Sequence, residues 1–475
     1  MAKIVVMGAG IGGISQIYEL RKELGNGHEL MLVGDSDYFE FTPSNPWVAV
    51  GWRKSQQIKV DLRDLMKKYG IEFSGAGVRC LHADENRLEM NDDSSIDYDY
   101  LIIATGPKLA FEEVEGLGPE GHTQSICKTG HAETANIDFE ELVKNPGPVV
   151  VGAAPMASCF GPAYEYAFIL DTELKRRKIR DKVPMYFVTP EPYVGHLGLD
   201  GVGDTKSMME SELRDRHINW VTNAKITKVD DGKIHFTEFD DDGKEKQAQE
   251  LEFKHSMILP AFKGVEAIAG IEGLCNPRDF IIIDDYQRNP KYQNIFAVGV
   301  CVAIPPVNAT PVATGAPKTG YMIESMVTAT THNIARLLKG GEPDQKGSWN
   351  AVCLADFGDT GVAFVALPQI PPRNMNWASK GKWVHLAKVA YEKYFLHKVR
   401  TANTEPYHEK TLMKLIAVER LKESRRRCSA LLRGRAGTVD IRLPRIAGAM
   451  HEYPHTPRER KQPQCDSEIQ EYRIH

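Results

Sequence analysis

The first thirteen residues constrain the fold of this chain more than any other segment. An apolar run, KIVVM, is followed by Gly8, Gly10 and Gly13 in the GxGxxG spacing, and a helix-compatible run, ISQIYELRKEL, overlaps and follows them. The first glycine permits a tight turn, the second lets the backbone approach a pyrophosphate, and the third lets the helix pack closely on the strand. A second apolar run, HELMLVGD, completes the unit. The segment therefore predicts a Rossmann-type dinucleotide site with the diphosphate at the helix N-terminus.

The second apolar run also supplies a candidate for the ribose contact. In such units an acidic residue usually ends the second strand and binds a ribose hydroxyl. Here Gly34 occupies the expected position, and Asp35 follows it directly. We expect Asp35 to bind the ribose; the alternative is a loop carboxylate that contacts no ligand.

Two later segments favour FAD over NAD in this first site. YDYLIIATGPKLAF carries Ala104, Thr105 and Gly106 after an aromatic-rich apolar run, which is the second fingerprint of flavoproteins with two dinucleotide-binding domains. NIFAVGVCVAIPP resembles the strand that precedes the contact to the flavin ribityl chain in those proteins. In this chain Gly299 is followed by Val300, where an aspartate is usual. The sequence therefore predicts FAD as the cofactor.

The segment PVVVGAAPMASCFGPAYEYA begins like a second nucleotide turn but lacks two of its glycines, because alanines and a proline follow Gly152. NADH-reducing proteins of this architecture bind the nicotinamide donor with a second GxGxxG. We therefore expect that NADH does not bind and that the flavin receives electrons from another donor. Cys159 lies just beyond the turn, where the N-terminus of the next helix is expected to lower the pKa of its thiol. A buried structural cysteine is the alternative.

Composition narrows the remaining classes of protein. A length of 475 residues predicts two or three domains, and a net charge of -5 without a basic cluster gives no indication of a nucleic-acid partner. The eight cysteines form no CxxC pair, so no metal site is expected. Since no apolar run approaches roughly 18 residues, we expect no membrane-spanning helix. No basic and then apolar signal precedes the first strand, so export by a signal peptide is not expected.

Several segments together resemble the bacterial sulfide:quinone oxidoreductases. They are YFEFTPSNPWVAVGW, ATGPKLAF, SCFGPAYEYA, EPYVGHLG, AFKGV, TGAPKTGYMIESM, WNAVCLADFGD and WVHLAKVAYEKYF. The resemblance extends from residue 1 to about residue 423. It implies an α/β fold with two Rossmann-like dinucleotide-binding domains and a C-terminal amphipathic-helical segment that binds the membrane.

The resemblance also implies the domain boundaries. Residues 1–110 and 285–370 would form a discontinuous FAD-binding Rossmann domain. Residues 111–284 would form a second Rossmann-like domain with a degenerate nucleotide site, and residues 371–423 the membrane-associating and quinone-binding segment. The Arg- and Pro-rich residues 424–475 depart from the family and are expected to be a disordered tail.

By the same resemblance, Cys159 and Cys353 lie on one face of the flavin as a disulfide or a sulfur-bridged pair. Hydrosulfide would attack the sulfur–sulfur bond, a persulfide would form, and the released thiolate would pass electrons to the flavin. Cys127 matches the third cysteine of the family, which lies near the sulfide entry route. Structural cysteines are the alternative at all three positions.

Four further polar residues match positions in the family. Glu165 is expected to exchange protons at the sulfur or flavin site, because a carboxyl group in a low-dielectric site can have a raised pKa. His131 and His196 match histidines that handle protons or steer sulfide. Lys318 is expected to stabilise the anionic edge of the reduced flavin. In each case an ordinary structural or solvent-exposed side chain is the alternative.

The sequence after PQIPPRN predicts a basic amphipathic helix that lies in the headgroup plane of a membrane. Its apolar residues have helical spacing: Trp383, Leu386, Ala387, Ala390, Tyr391, Tyr394 and Phe395. Its cations surround them: Lys382, Lys388, Lys393, Lys398 and Arg400. TLMKLIAVERLK repeats the pattern, and two ordinary core helices are the alternative. By resemblance, aromatic side chains would form the quinone site: Phe357, Tyr391, Phe395 and Tyr407.

The predicted function is oxidation of hydrogen sulfide to polysulfide or elemental sulfur, with reduction of ubiquinone or menaquinone. We expect a peripheral protein of the cell membrane that binds the lipid surface and forms a homo-oligomer. The sequence does not determine on which face of the membrane the protein lies. Three alternatives remain. A type II NADH:quinone oxidoreductase needs the second glycine fingerprint, a flavocytochrome-type sulfide dehydrogenase subunit needs an export signal, and a non-catalytic flavin redox sensor would show no sulfide-dependent turnover.

Overall fold

The computed structural model describes residues 1–404 of the chain. Eight α-helices lie in this part: α1 (Ile11–Leu24), α2 (Asn45–Ala49), α3 (Arg63–Lys68), α4 (Thr129–Lys144), α5 (Gly161–Arg176), α6 (Thr205–Asp215), α7 (Gly320–Leu337) and α8 (Lys382–Thr401). The predicted second amphipathic helix, Tyr407 and the 424–475 tail lie outside the described residues.

The same part contains 22 strands. Those of the first half are β1 (Lys3–Met7), β2 (Glu29–Val33), β3 (Tyr38–Glu40), β4 (Lys59–Asp61), β5 (Glu72–Ser74), β6 (Val78–His82), β7 (Arg87–Met90), β8 (Ser95–Asp97), β9 (Tyr100–Ile103), β10 (Lys108–Ala110) and β11 (Val149–Ala153). The others are β12 (Met185–Val188), β13 (Ile218–Val221), β14 (Ala224–Asp230), β15 (Lys233–Phe239), β16 (Glu245–Glu252), β17 (His255–Leu259), β18 (Ala261–Lys263), β19 (Ile295–Ala297), β20 (Ala351–Asp356), β21 (Gly361–Leu367) and β22 (Met375–Lys380).

The first sheet is parallel and has the order β19-β9-β1-β2-β5. Its central strand β1 is covered on both faces, which explains its unbroken apolar sequence, since parallel strands lie between layers of helices. Helices α1 and α7 pack against each other beside this sheet. Strand β19 comes from a distant part of the chain and joins strands of the first hundred residues.

The second sheet is also parallel and has the order β13-β12-β11-β17. Every residue of β11 is buried, and α5 packs against this strand. The antiparallel pair β10–β18 connects chain segments that flank the second sheet. Two parallel sheets with intervening helices confirm the predicted α/β fold class.

A third, antiparallel sheet, β20-β21-β22, carries Cys353 on its first strand. Helix α8 packs on β20 and β21, and α5 and α7 pack on β20 from their own positions. Strand β20 therefore lies where helices α5, α7 and α8 meet. None of the helices in residues 1–404 is long and apolar enough to cross a membrane.

Helix α8 forms as predicted, but two of its lysines are not at a surface. Lys388 and Lys398 are each 6% exposed, because they face the core and pair with Glu165 and Glu324. Carboxylates on α5 and α7 thus neutralise cations that the sequence pattern assigned to a headgroup layer. The prediction that these two lysines surround a membrane-bound face is wrong.

Candidate active site

The first glycine turn fits a dinucleotide. A Cβ atom at Gly8, where φ is +117°, would lie 2.4 Å from the carbonyl oxygen of Ala104, and one at Gly13 would lie 1.7 Å from that of Gly8. Both positions therefore require glycine. Gly10 is the N-cap of α1, it provides no side-chain cap, and nothing lies within 4 Å of the Cβ position there. The open space and the free N–H groups of the first helical turn suit a pyrophosphate.

The other predicted nucleotide contacts lie around the same sheet. The backbone N–H of Ala104 donates to Met7 at the end of β1, and Gly106 follows with a φ of +70°. Gly299 lies just after β19, and its N–H points to the sulfur of Met326 at 3.4 Å. The side chain of Asp35 is exposed in the loop after β2. Its contact with a ribose stays a prediction, as do the ligand contacts of Thr105, Gly106 and Gly299.

Lys318 connects the nucleotide region with the cysteines. Its ammonium group lies 4.4 Å from the centre of the Phe280 ring. Burial lowers the pKa of Lys318 to about 8, while the nearby thiols of Cys301 and Cys159 act in the opposite direction. A cation is therefore held between the first turn and the sulfur site.

Cys159 does not have the lowered pKa that its position in the sequence predicted. Helix α5 begins at Gly161 with Phe160 as its N-cap, so the thiol precedes the first turn. Burial raises the pKa of Cys159 to about 12, and charges on Cys127 and Glu165 raise it further. Lys318 and Lys388 act against this effect. The prediction of a lowered pKa is wrong because desolvation outweighs the field of the helix terminus.

The three candidate cysteines are partly buried free thiols that lie close enough to influence one another's ionisation. Burial raises the pKa of Cys127 to about 11 and also raises that of Cys353. Charge on Cys127 disfavours ionisation of Cys159, and charge on Cys159 disfavours ionisation of Cys353. The structure thus brings together all three cysteines singled out in the sequence, from the loop before α4, the turn before α5 and strand β20.

Glu165 lies beside these thiols and is almost fully buried. Its Oε1 atom accepts the backbone N–H of Asp356 at 2.6 Å and forms an ion pair with Lys388. Burial raises the pKa of Glu165, and Lys388 opposes that shift. Lys388 lies four residues after Val384 and seven before Phe395, on the buried stripe of α8, so this spacing was the available signal for its burial.

Asp356 is a second carboxylate that the sequence analysis missed. It ends β20, three residues after Cys353, and its side chain is completely buried. Its oxygens accept Trp47 Nε1 at 2.7 Å and the N–H of Gly358 at 3.0 Å, and His385 Nδ1 lies 2.9 Å away. The signal in the sequence was an aspartate within LADFGD, directly after an apolar strand.

The two candidate histidines lie in different surroundings. The ring of His131 lies 5.9 Å from that of Phe111, and burial lowers its pKa. His196 is fully buried, accepts the N–H of Gly198 at Nδ1 over 3.2 Å, and has its pKa lowered by burial. Both side chains therefore favour the neutral imidazole, which can accept a proton.

The second turn has a close strand contact and an acid whose hydrogen bonds are made within the protein. A Cβ atom at Gly152 would lie 1.9 Å from the carbonyl oxygen of Val188 on β12. Glu191, just after β12, is fully buried and accepts Tyr164 Oη at 2.7 Å and the N–H of Leu197 at 2.7 Å. Burial raises its pKa to about 7. An acid after the second strand is the usual ribose ligand, but this one binds its own helix and the loop that carries His196.

The quinone candidates that the structure describes are aromatic core residues. The ring of Phe395 lies 5.4 Å from that of Phe41 in a tilted arrangement, and Tyr391 lies 5.8 Å from the same ring. The pKa of Tyr391 is raised by burial, with a further contribution from Cys353, so this ring lies near the sulfur site. Phe357 is fully buried with its ring 4.4 Å from that of Phe168 on α5. A quinone contact at these residues stays a prediction.

Comparison with known proteins identifies the family to which this chain is similar. The family described as pyridine nucleotide-disulphide oxidoreductase matches residues 2–330. The sulfide-quinone reductase of Aquifex aeolicus (strain VF5) is 42% identical over 418 residues, which are 87% of this chain and 95% of that protein. The mitochondrial sulfide:quinone oxidoreductase of Dictyostelium discoideum is 28% identical over 193 residues, 39% of this chain and 42% of that one.

Solved structures agree with these matches. The crystal structure of the sulfide:quinone oxidoreductase from Aquifex aeolicus has a TM-score of 0.84 at 42% identity, and the match covers 88% of this chain and 96% of that chain. NDH2 from Plasmodium falciparum in complex with NADH has a TM-score of 0.64 at 15% identity, covering 84% of this chain and 96% of that one. The second likeness shows a shared fold alone.

Proposed function

The chain belongs to the pyridine nucleotide-disulphide oxidoreductases and, within them, to the sulfide-quinone reductases, and we propose that it oxidises hydrogen sulfide and passes the electrons through FAD to a membrane quinone. Membership of this flavoprotein family implies a flavin, and the open, uncapped turn at Gly10 supports the dinucleotide form, FAD. The products would be polysulfide or elemental sulfur.

The observation that carries this proposal is the position of Cys159 and Cys353 between charged groups in a buried site. Lys388 lowers the pKa of both thiols, and Lys318 lowers that of Cys159, in opposition to burial. These fixed cations offset part of the cost that burial imposes on a thiolate in this site. Glu165 lies next to the same two thiols and holds Lys388 in place.

These residues support the sulfide step as follows. Hydrosulfide attacks one sulfur of the oxidised Cys159–Cys353 pair, the bond between the cysteines breaks, and a persulfide forms on the attacked cysteine. The other cysteine leaves as a thiolate beside Lys388. Glu165 takes up the proton that the bound sulfur loses, since burial raises its pKa toward the range of a general base.

The bound flavin would accept the two electrons released when the persulfide and the thiolate join to restore a sulfur bridge, and it would donate them to the quinone. Sulfide loses two electrons and the quinone gains two electrons and two protons, so the reaction balances without another reductant. Tyr391 and Phe395 support an apolar contact to the quinone ring, because they pack with Phe41 close to the strand of Cys353.

An NADH:quinone reductase is the strongest alternative, since it shares the fold. The second turn argues against it. Glu191 is already satisfied by Tyr164 and Leu197. A ribose contact at Glu191 would have to displace these hydrogen bonds.

A peripheral position on a cell membrane, with the quinone taken from the lipid, is part of the proposal. Large apolar side chains are exposed near one another in sequence: Trp377 at 38%, Trp383 at 40% and Leu386 at 67%. The last two lie on α8, the helix that also carries Lys388 and Tyr391. A homo-oligomeric state stays a prediction.

The test is anaerobic reduction of the flavin followed by absorbance. Sulfide should bleach the flavin, a soluble quinone should restore the colour, and NADH should do neither. Cys159→Ala and Cys353→Ala should abolish bleaching by sulfide, whereas Cys80→Ala, on β6, should behave as wild type. Bleaching by NADH and not by sulfide would overturn the proposal.

A further inference from the structure

A hydrogen-bonded pair of side chains links the sulfur site to solvent and takes no part in the sulfide step above. Its members are Asp356 on β20 and His385 on α8, with 2.9 Å between Asp356 Oδ1 and His385 Nδ1. The side chain of Asp356 is 0% exposed and that of His385 is 30% exposed. The pair therefore reaches from the interior to the surface.

Asp356 is connected to Glu165 through its own backbone. The N–H of Asp356 donates to Glu165 Oε1 at 2.6 Å, and the carboxylate of Asp356 is fixed by Trp47 Nε1 at 2.7 Å and the N–H of Gly358 at 3.0 Å. These contacts fix the carboxylate of Asp356 and the N–H that Glu165 accepts within one residue.

The pair is also connected to Glu165 by charge. Burial raises the pKa of Glu165, and the charge of Asp356 raises it further, whereas Lys388 and the N–H of Asp356 lower it. A proton on His385 offsets the charge of Asp356, and loss of that proton restores it. Histidine is the side chain that ordinarily changes its charge between about pH 5 and about pH 8.

We propose that His385 and Asp356 are positioning residues that determine when Glu165 takes up a proton and couple this step to the pH of the solvent. The inference rests on the proposed function, in which Glu165 receives the proton of the bound sulfur. His385 and Lys388 lie one turn apart on α8 and bind the two carboxylates separately. Helix α8 thus provides the partner of each of the two carboxylates, Asp356 and Glu165.

Other charged groups face this pair and must be kept constant in a test. Arg53 lies 4.6 Å from the centre of the Trp47 ring, and its Nε atom is 3.0 Å from Glu392 Oε1. Lys388 lies 5.7 Å from the same ring. The thiols of Cys159 and Cys353 are further titratable groups that interact with Glu165.

The variants His385→Gln and Asp356→Asn change the charge in opposite directions. Glutamine retains an N–H donor for Asp356 but takes up no proton, so the charge of Asp356 stays unopposed and Glu165 should hold its proton to higher pH. Asparagine removes that charge, so Glu165 should lose its proton at lower pH. His397→Gln, an exposed position on the same helix, is the matched control.

The first measurement is the rate of anaerobic flavin reduction by sulfide from about pH 5 to about pH 9. In the plot of this rate against pH, the rising or falling limb that is lost in Glu165→Gln is the one that Glu165 causes. We expect that limb to move up by about one pH unit in His385→Gln, down by about one in Asp356→Asn, and not at all in His397→Gln. A limb that survives in Glu165→Gln belongs to the ionisation of sulfide itself. Equal loss of rate at every pH, or a Glu165-dependent limb that stays in place in both His385→Gln and Asp356→Asn, would overturn the inference.

The second measurement does not depend on turnover. In infrared difference spectra over the same pH range, the carboxylic-acid C=O band that disappears in Glu165→Gln should titrate higher in His385→Gln than in wild type. If Asp356→Asn fails to fold, the shift measured in His385→Gln alone tests the role of the pair. Wild type that sulfide does not reduce would refute the proposed function, while an unshifted infrared titration would refute the role of the pair.

Discussion

Lys388 and Glu165 form an ion pair inside the protein, with side chains that are 7% and 8% exposed. The pair joins α8 to α5 next to Cys159 and Cys353. Both partners come from segments whose sequence pattern places them on ordinary helix faces. Their burial means that each partner depends on the other, because a lone charge in this position would lack water.

Removing one partner should therefore destabilise the protein more than removing both. We expect Lys388→Met and Glu165→Gln each to lower the free energy of unfolding by about 3–5 kcal/mol, and the double variant to recover part of that loss. Chemical denaturation of the three variants measures the coupling. Lys393→Met, an exposed lysine on the same helix, should change stability little; additive single effects would contradict the prediction.

Alkylation of Cys159 should depend steeply on pH. Burial raises the pKa of this thiol to about 12, and only the thiolate reacts with iodoacetamide. The rate of labelling should be low at neutral pH and rise about tenfold per pH unit as the pH increases toward that value. Mass spectrometry of the labelled peptide follows the rate, with Cys159→Ser as the unlabelled reference. A rate that is already constant near neutral pH would show that the thiolate predominates there.

Glu191 should make stability depend on pH. Its pKa is raised from about 4.5 to about 7 in the folded protein, so the folded state binds the proton more tightly than the unfolded state. Stability therefore falls as the pH rises from about 4.5 to about 7 and is constant above that, with a total effect of about 3 kcal/mol. Denaturation across this range should show the decline in wild type and a smaller one in Glu191→Gln. Parallel curves would refute the assignment.

Gly13→Ala should prevent flavin binding. The added Cβ atom would lie 1.7 Å from the carbonyl oxygen of Gly8, so the turn and the start of α1 must move apart. Gly130→Ala, in α4, is the control, because nothing lies within 4 Å of its Cβ position. The ratio of flavin absorbance to protein absorbance after purification measures the effect. A full complement of flavin in Gly13→Ala would contradict the close packing of this turn.

The sequence predicted the parts of the site that local pattern determines. The strand, the three glycines and the following helix specify the first turn, because only glycine fits the close approach at Gly8 and Gly13. The degenerate second turn was also visible, although the partners of Glu191 were not. The three cysteines could be selected because they accompany motifs that resemble one family.

Features that depend on how elements pack could not be predicted. The pKa of Cys159 follows its burial and its charged neighbours rather than its distance from a helix terminus. Lys388 and Lys398 lie seven residues before and three residues after the buried Phe395, but the sequence alone does not show the carboxylates on α5 and α7 that receive them. Asp356 gained its importance only when Trp47 and His385, both distant in sequence, came within hydrogen-bond distance.

The placement of Lys388 and Leu386 on one helix limits how the exposed apolar side chains of this helix can be removed. Truncation before α8 would remove the exposed apolar side chains, but it would also remove the cation beside the cysteines. Replacing Trp383 and Leu386 by polar residues is the workable route, since they are 40% and 67% exposed while Lys388 points inward. A more polar surface should thus come from substitutions on the exposed face of this helix and not from deletion of the helix.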